Sequence, residues 1–329
     1  MQTSGSTPKR GCTTVWPAAA RVRLQRDGRT RVEIAGHEIG NGAYTVIAQA
    51  AAEKLKVPVE RVSVFVGDSD FPPAPVAGGS NSTASTCSAV MMVCEQIRQR
   101  LFKAVMQESL VDKAKETVGV GRTPATEAAR SDQPLDREQA FDALGVSVVE
   151  EYGEWKPDGA PMDSFRAMHN GQMRMVGGPE FGNKIAYAFG AEFVELRVNR
   201  WTHEIRVPRL LGAFAAGHIM NPRTARSQLL GGLIWGMSSA LHEATELDER
   251  YARYVNDNLA DYLVPVNADV PSVEVLMLSE QDDQINPAGV KGLGELGNVG
   301  TNAAVCNALF HATGQRIRKL PVRLEKLEI

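Results

Sequence analysis

Three glycine-rich loops, each placed just before an apolar helical pattern, restrict most strongly how this chain can fold. They are residues 40–42, residues 78–83 and residues 292–300. Glycine tolerates a positive φ and lets the backbone approach a bulky group, and a helix N-terminus offers free N–H donors. If the loops converge, they would line one pocket suited to a polyanionic or pyrophosphate-bearing cofactor. Taken singly, each loop is also compatible with an ordinary tight turn between a strand and a helix.

Loop 292–300 surrounds a single acid, Glu295, with glycines on both sides. A carboxylate in that setting suits a general base or an electrostatic anchor. Gly292, Gly294 and Gly297 also satisfy the G-x-G-x-x-G pattern of a dinucleotide-binding fold. No acid follows about 20 residues later, and too little chain remains for a βαβαβ half. A nicotinamide enzyme is therefore kept only as a minor alternative.

Length and composition set further bounds on the function. The 329 residues are enough for about two domains, on the usual scale of roughly 100–200 residues each. The formal charge of −3 argues against a nucleic-acid footprint and a polybasic membrane surface. No run approaches the roughly 18 apolar residues of a membrane span. Residues 1–10 lack the apolar core of a secretory signal. We therefore expect a cytoplasmic protein, with export to the periplasm alongside a partner as the alternative.

The cysteines give little sign of a metal centre. Cys12, Cys87, Cys94 and Cys306 include no C-x-x-C pair, so an Fe–S cluster held by this chain alone is not expected. Cys87 and Cys94 fall in an apolar helical pattern and are predicted to be buried thiols. The histidines form no H-x-x-x-H pair, and nothing resembles a zinc site.

The element pattern predicts an α+β fold of two lobes, each a small mixed or antiparallel sheet with helices packed on it. A hairpin is predicted around Asp27, and a longer antiparallel hairpin is predicted around residues 199–202. Long helices are predicted over residues 85–105 and 224–240, and Trp235 on the second helix is predicted to lie in the core. The expected boundaries are a polar leader at 1–17, a first lobe at 18–165 with an insertion at about 108–134, and a second lobe at 166–329 carrying the acid.

Two patterns point to other chemistries. Loop 78–83 has the Gly/Ser-rich character of an amidase nucleophile loop, but no S-x-x-K or G-x-S-x-G pattern supplies a base nearby. Asp68 and Asp70 look like paired carboxylates, yet their spacing is more typical of a turn than of a glycosidase pair. Both remain minor alternatives.

Six segments occur in the order typical of one known family. They are GNGAYT at 40–45, GDSDFPP at 67–73, GGS at 78–80, ARSQLLGG at 225–232, NLADY at 258–262 and GVKGLGE at 289–295. From about residue 18 to residue 321, the chain resembles the C-terminal half of the molybdenum-cofactor-binding large subunit of the xanthine dehydrogenase and aldehyde oxidase family. The resemblance is closest to the bacterial aldehyde oxidoreductase type.

The resemblance implies a role for each motif. Glu295 matches the base that takes the proton from a hydroxide on molybdenum, and Gln228 matches the glutamine that hydrogen-bonds the oxo group. Residues 78–80 match a strip against the metal and pterin, and residues 40–42 match a loop that binds the pterin or its phosphate. Some relatives carry glutamine where this chain has Asn41. The expected cofactor-binding residues are Gly40, Asn41, Gly42, Gly78, Gly79, Ser80, Ser82, Gln228, Lys291, Gly292 and Gly294. No protein ligand to the metal is expected, because the dithiolene of the cofactor holds it.

The resemblance also implies cofactors and partners. The cofactor would be molybdopterin with molybdenum, as the simple pterin or as a cytosine dinucleotide. An aldehyde or N-heterocycle would be the substrate, and a 2Fe–2S subunit and an FAD subunit would carry electrons away. Since the family's subunit is considerably longer than this chain, we expect half of a split enzyme that needs an N-terminal partner. The alternative is a truncated or scaffold subunit that keeps the fold without cofactor or activity.

Overall fold

The computed structural model describes residues 9–12, 15–116, 135–158, 160–172 and 187–328, with the backbone alone for 9–12 and 108–116. The strands are β1 Lys9–Cys12, β2 Ala18–Gln25, β3 Thr30–Glu33, β4 Val62–Phe65, β5 Val148–Trp155, β6 Tyr187–Val198, β7 Ile205–Ala215, β8 Leu247–Asp248, β9 Arg253–Tyr254 and β10 Val273–Met277. The α-helices are α1 Ala43–Leu55, α2 Ser82–Glu116, α3 Arg137–Leu144, α4 Ser164–His169, α5 Pro222–Leu241, α6 Leu296–Val299 and α7 Thr301–Thr313. Short 3-10 turns occupy Val59–Arg61 and Leu324–Lys326.

The chain forms two compact units. The first unit comprises Val15–Lys184 and Asp283–Gly289, and the second comprises Met1–Thr14, Ile185–Asp282 and Val290–Ile329. Small sheets with packed helices confirm the predicted α+β class. The predicted lobe boundary near residue 165 stays a prediction. Within the expected polar leader, Lys9–Cys12 forms β1. The first residues of the expected insertion continue α2, and residues 117–134 lie outside the described part of the chain.

The first unit is built on a sheet in the order β4-β3-β2-β5. The predicted hairpin at Asp27 is confirmed, since β2 and β3 pair antiparallel on either side of it. Alternate residues of β2 and β3, such as Val22 and Val32, are fully buried beneath the helices. Helix α2 lies so close to β5 that a Cβ at Gly153 would be 2.7 Å from Met92 Cε.

Helix α2 also buries the two cysteines predicted to be core thiols. Cys87 and Cys94 are both fully buried, which confirms that prediction. Burial raises the pKa of the Cys87 thiol to about 12 and raises the pKa of Cys94 as well. Both are therefore uncharged and poorly nucleophilic at neutral pH.

The second unit is built on a sheet in the order β1-β6-β7-β10, with β6 and β7 forming the predicted long antiparallel hairpin. Strand β10 lies parallel to β7. Phe214 fills the space over two glycines of this sheet, and a Cβ at Gly190 would lie 2.7 Å from the Phe214 ring. Helix α5 packs its Leu229, Leu233 and Met237 into the same apolar cluster.

The prediction that Trp235 lies in the core is wrong. Its side chain is 51% exposed, whereas Leu229, Leu233 and Met237 are fully buried. These three residues repeat every fourth position and define the buried stripe of α5. Trp235 lies two residues before Met237, on another face of the helix. Among the helices of the described residues, none is both long and apolar enough to cross a lipid bilayer.

Candidate functional site

Loop 40–42 leads into α1 with a left-handed backbone, at φ 91° for Gly40 and 79° for Gly42. Its N–H groups bind oxygens of the chain itself. Glu38 Oε1 accepts hydrogen bonds from the N–H groups of Gly40 at 2.8 Å and Gly42 at 3.0 Å, and Oε2 accepts one from Tyr44 N–H at 3.3 Å. Asn41 Oδ1 accepts a further bond from Ala43 N–H at 3.2 Å. The helix start is therefore already supplied with an anion, the Glu38 carboxylate.

Loop 78–83 leads into α2, whose first residue is Ser82. Gly79 and Ser80 adopt left-handed φ values of 65° and 56°, and for a serine this conformation is strained. The fully buried Asn81 supports the strip from beneath, because its Nδ2 donates to the carbonyls of Val76 and Gly78. The strip is thus a fixed feature of the first unit with Gly78 and Gly79 exposed.

Open space adjoins two of the predicted cofactor-binding glycines. A Cβ at Gly40 or at Gly78 would meet no atom within 4 Å. Gly40 needs glycine for its positive φ, but Gly78 has no positive φ. Among the described residues, neither backbone conformation nor packing therefore requires glycine at position 78. Such a position suits the close approach of a bound group to the backbone, so this strip fits a large cofactor.

The start of loop 292–300 is fixed by a partly buried ionic cluster. Val290 forms a β-bridge with Gly217, and Lys291 N–H donates to the Ala216 carbonyl at 3.0 Å. Lys291 Nζ lies 2.6 Å from Glu280 Oε1 and 3.0 Å from Asp282 Oδ2.

Glu280 joins this cluster to the backbone as well as to the lysine. Its second oxygen, Oε2, accepts a hydrogen bond from Gly217 N–H at 2.7 Å. Burial opposes the charged form of Lys291, but the hydrogen bonds and charges of Glu280 and Asp282 outweigh it and raise the lysine pKa. The ammonium group therefore stays charged and holds the loop.

The end of the loop is fixed by backbone contact with α5. A Cβ at Gly297 would lie 2.6 Å from Leu229 O, and a Cβ at Gly232 would lie 2.9 Å from Gly297 Cα. Only glycine at both positions allows this approach. Glu295 is the N-cap residue of α6, two positions before Gly297, and its side chain is exposed.

Within the second unit, the structure gathers the other predicted site residues around the same contact. Gln228 lies on α5 immediately before Leu229 and is half-buried. Gly292 is buried and Gly294 half-buried in the loop between Lys291 and Glu295. Lys291 is engaged by Glu280 and Asp282, so its geometry is that of a residue holding the loop in place.

Several residues that support these loops were missed from the sequence. They are Glu38, Asn81, Glu192, Glu280 and Asp282. Glu192 is only 4% exposed on β6, and a Cβ at Gly300 would overlap its carboxylate oxygens. Its carboxyl group therefore lies at the N-terminus of α7. A signal existed for Glu38, an acid just ahead of a helix start, but no signal linked Glu280 to Lys291.

In the parts of the chain that the structure describes, no three His, Cys, Asp or Glu side chains are grouped closely enough to hold a metal ion.

Comparison with known proteins identifies the protein family to which this chain belongs. The family model described as molybdopterin cofactor-binding domain matches residues 1–271. The aldehyde oxidoreductase molybdenum-binding subunit of Escherichia coli is 36% identical over 313 residues, covering 94% of this chain and 38% of the subunit. A putative xanthine dehydrogenase molybdenum-binding subunit of the same organism is 29% identical, covering 95% of this chain and 40% of the subunit.

The fold is also found in solved structures. The aldehyde oxidoreductase of Desulfovibrio desulfuricans superposes with a TM-score of 0.70 at 22% identity, covering 97% of this chain and 32% of that one. The chain therefore shares the fold of the matching part of that protein. The chain belongs to the molybdopterin cofactor-binding domain family, which confirms the resemblance drawn from the sequence. It spans about 38–40% of the length of the two curated relatives described above.

Proposed function

We propose that this chain supplies the molybdopterin-binding portion of a molybdenum hydroxylase that oxidises an aldehyde or an N-heterocycle with oxygen derived from water. The observation that carries the proposal is the loop around Glu295, held at one end by Lys291 and at the other by Gly297 against α5. A carboxylate on a loop whose backbone is fixed at both ends suits proton transfer. When bound, the molybdenum cofactor would supply the two-electron oxidation.

Each of the chain's own residues then has a defined task. The Glu295 carboxylate accepts the proton that leaves during oxygen transfer, and the Gln228 amide would donate a hydrogen bond to an oxygen of the bound cofactor. Gly78, Gly79 and Ser80 let the cofactor approach the backbone, and Asn41 and its neighbouring glycines contact the pterin or its phosphate. Lys291 acts through the loop and positions Glu295 without contacting the substrate.

The partners are part of the proposal. Because the chain spans 38% of the Escherichia coli aldehyde oxidoreductase subunit, the rest of the cofactor pocket would come from a polypeptide equivalent to the part of that subunit that this chain does not match. Electrons would leave through a 2Fe–2S subunit and an FAD subunit. The pterin would carry a cytosine nucleotide if the chain follows the bacterial aldehyde oxidoreductase type.

Replacing Glu295 by glutamine tests the assigned base in the assembled enzyme. Glu295→Gln is expected to lower the turnover number about 10²- to 10⁴-fold, the usual contribution of general acid–base catalysis, at unchanged molybdenum content. Glu325→Gln, at an exposed glutamate of the same unit, is the matched control and should keep full turnover. Unchanged turnover in Glu295→Gln would remove this residue from the mechanism.

A scaffold role is the second candidate, and two observations favour it. Glu295 is exposed, and the N–H groups of Gly40 and Gly42 are already bound by Glu38. A scaffold would assemble with its partners yet contain no molybdenum. Molybdenum in the assembled complex at close to one atom per chain would exclude this candidate.

A further inference from the structure

Two adjacent glycines of α5 have opposite surroundings. Gly232 is buried, and a Cβ there would lie 2.9 Å from Gly297 Cα, so the fold itself requires it. Gly231 is exposed, has no positive φ, and a Cβ there would meet no atom within 4 Å. Glycine inside a helix is destabilising relative to alanine. Nothing among the residues that the structure describes therefore accounts for the glycine at position 231.

The surface around Gly231 carries two residue types that are enriched at protein interfaces, arginine and tryptophan. Arg223, Ser227, Gly231 and Trp235 are spaced four apart, lie on one side of α5 and are all exposed. We call this surface the Gly231 face. Trp235 is 51% exposed, and tryptophan is enriched at the energetic centres of protein interfaces. Gly231 forms a notch one turn before it, into which a partner side chain can insert.

The charge of the Gly231 face also indicates the chemistry of its partner. Among the described residues, the Arg223 guanidinium forms no ion pair with another side chain. A carboxylate on the partner would complement it. Gln228 follows Ser227 directly, so a polypeptide on this face would also limit the access of water to the candidate site.

We propose that the Gly231 face binds the polypeptide that corresponds to the part of the molybdenum-binding subunit outside this chain. That part makes up the larger share of the relative, since the chain covers 38% of the Escherichia coli subunit. The occupant places an apolar side chain over Gly231 and a carboxylate opposite Arg223. The identity of the partner rests on the proposed function, whereas the location of the surface rests on α5 alone.

The test measures binding of the purified chain to a defined probe. The probe is the portion of the Escherichia coli aldehyde oxidoreductase subunit that this chain does not match, produced separately and added without cofactor. Titration calorimetry compares the wild type with Gly231→Leu, Trp235→Ala and, as a matched control, Ala312→Leu at an exposed position of α7. We expect Gly231→Leu and Trp235→Ala to weaken binding at least tenfold, and the control to bind like the wild type.

Thermal melting of the chain alone shows that the variants fold. Gly231→Ala should melt no lower than the wild type, because its Cβ would meet no atom of the described residues within 4 Å. Equal binding by all variants, or no binding by the wild type, would overturn the proposal. Self-association in sedimentation that Gly231→Leu abolishes would overturn it too, since a second copy would then occupy the face. Binding as expected, followed by no uptake of molybdenum when the same complex is assembled in the presence of the cofactor, would leave this inference standing and remove the proposed function.

Discussion

Loop 40–42 and loop 292–300 share a glycine-rich sequence ahead of a helix, yet the structure completes them in different ways. In the first, the Glu38 carboxylate accepts the loop's own N–H groups at 2.8 and 3.0 Å. In the second, Lys291 and Gly297 hold the two ends while Glu295 remains exposed between them. The Glu38 carboxylate stabilises the first loop by accepting its N–H groups. In the second loop, the Glu295 carboxylate lies at the surface.

The difference shows that glycines before a helix do not by themselves define a binding site. What matters is where the N–H donors and the carboxylates find their partners. In loop 40–42, the phosphate of a ligand would compete with the Glu38 carboxylate for the N–H groups of Gly40 and Gly42. In loop 292–300 the two ends are held by Lys291 and Gly297, and the Glu295 side chain between them is exposed to solvent.

The largest effect is expected at the end of loop 292–300. Gly297→Ala should lower the free energy of unfolding by about 3 kcal/mol, because the new Cβ would overlap backbone atoms that cannot move aside. Urea unfolding of the variant and the wild type measures this loss of free energy. Gly231→Ala on the facing helix is the matched control and should be neutral or slightly stabilising. A loss of stability smaller than the control's experimental error would contradict the close contact between α5 and α6.

A smaller effect is expected at the start of the same loop. Lys291→Met should destabilise the chain by about 2 kcal/mol, since it leaves Glu280 and Asp282 without their cation. The raised lysine pKa means that this stabilisation is fully present below about pH 10.5 and is lost as pH rises through the folded-state value. The difference in the free energy of unfolding between Lys291→Met and the wild type should therefore be constant from pH 7 to 9. It should shrink at higher pH. A difference that grows at alkaline pH would contradict the assignment.

The smallest effect is expected at loop 40–42. Glu38→Ala should cost about 1 kcal/mol, as expected for the loss of a helix cap whose donors water can reach. Added sulfate should then stabilise the variant more than the wild type, because it can take the place of the carboxylate. Glu53→Ala, at an exposed site near the other end of α1, is the control. Equal sulfate effects in all three proteins would show that the loop does not bind anions.

The sequence predicted the elements better than the contacts between them. Strand alternation and the turn at Asp27 were sufficient for the first hairpin, and apolar spacing was sufficient for α5. Trp235 was misplaced because helical period alone does not decide which face is buried when the helix is apolar on several sides.

The candidate site was predicted as motifs, and the residues that hold those motifs were not. Glu280 and Asp282 come before Lys291 in sequence, but only the fold brings their carboxylates to its ammonium group. The use of Glu38 as an internal anion likewise depends on its side-chain conformation, which no local pattern specifies.

The most direct test of the account is the molybdenum and pterin content of this chain, purified alone and after assembly with the remaining part of the subunit. Metal analysis by mass spectrometry and fluorescence of the oxidised pterin give the two stoichiometries. We predict close to one molybdenum and one pterin per chain in the assembled complex. Absence of both from a correctly assembled complex would contradict cofactor binding by this chain.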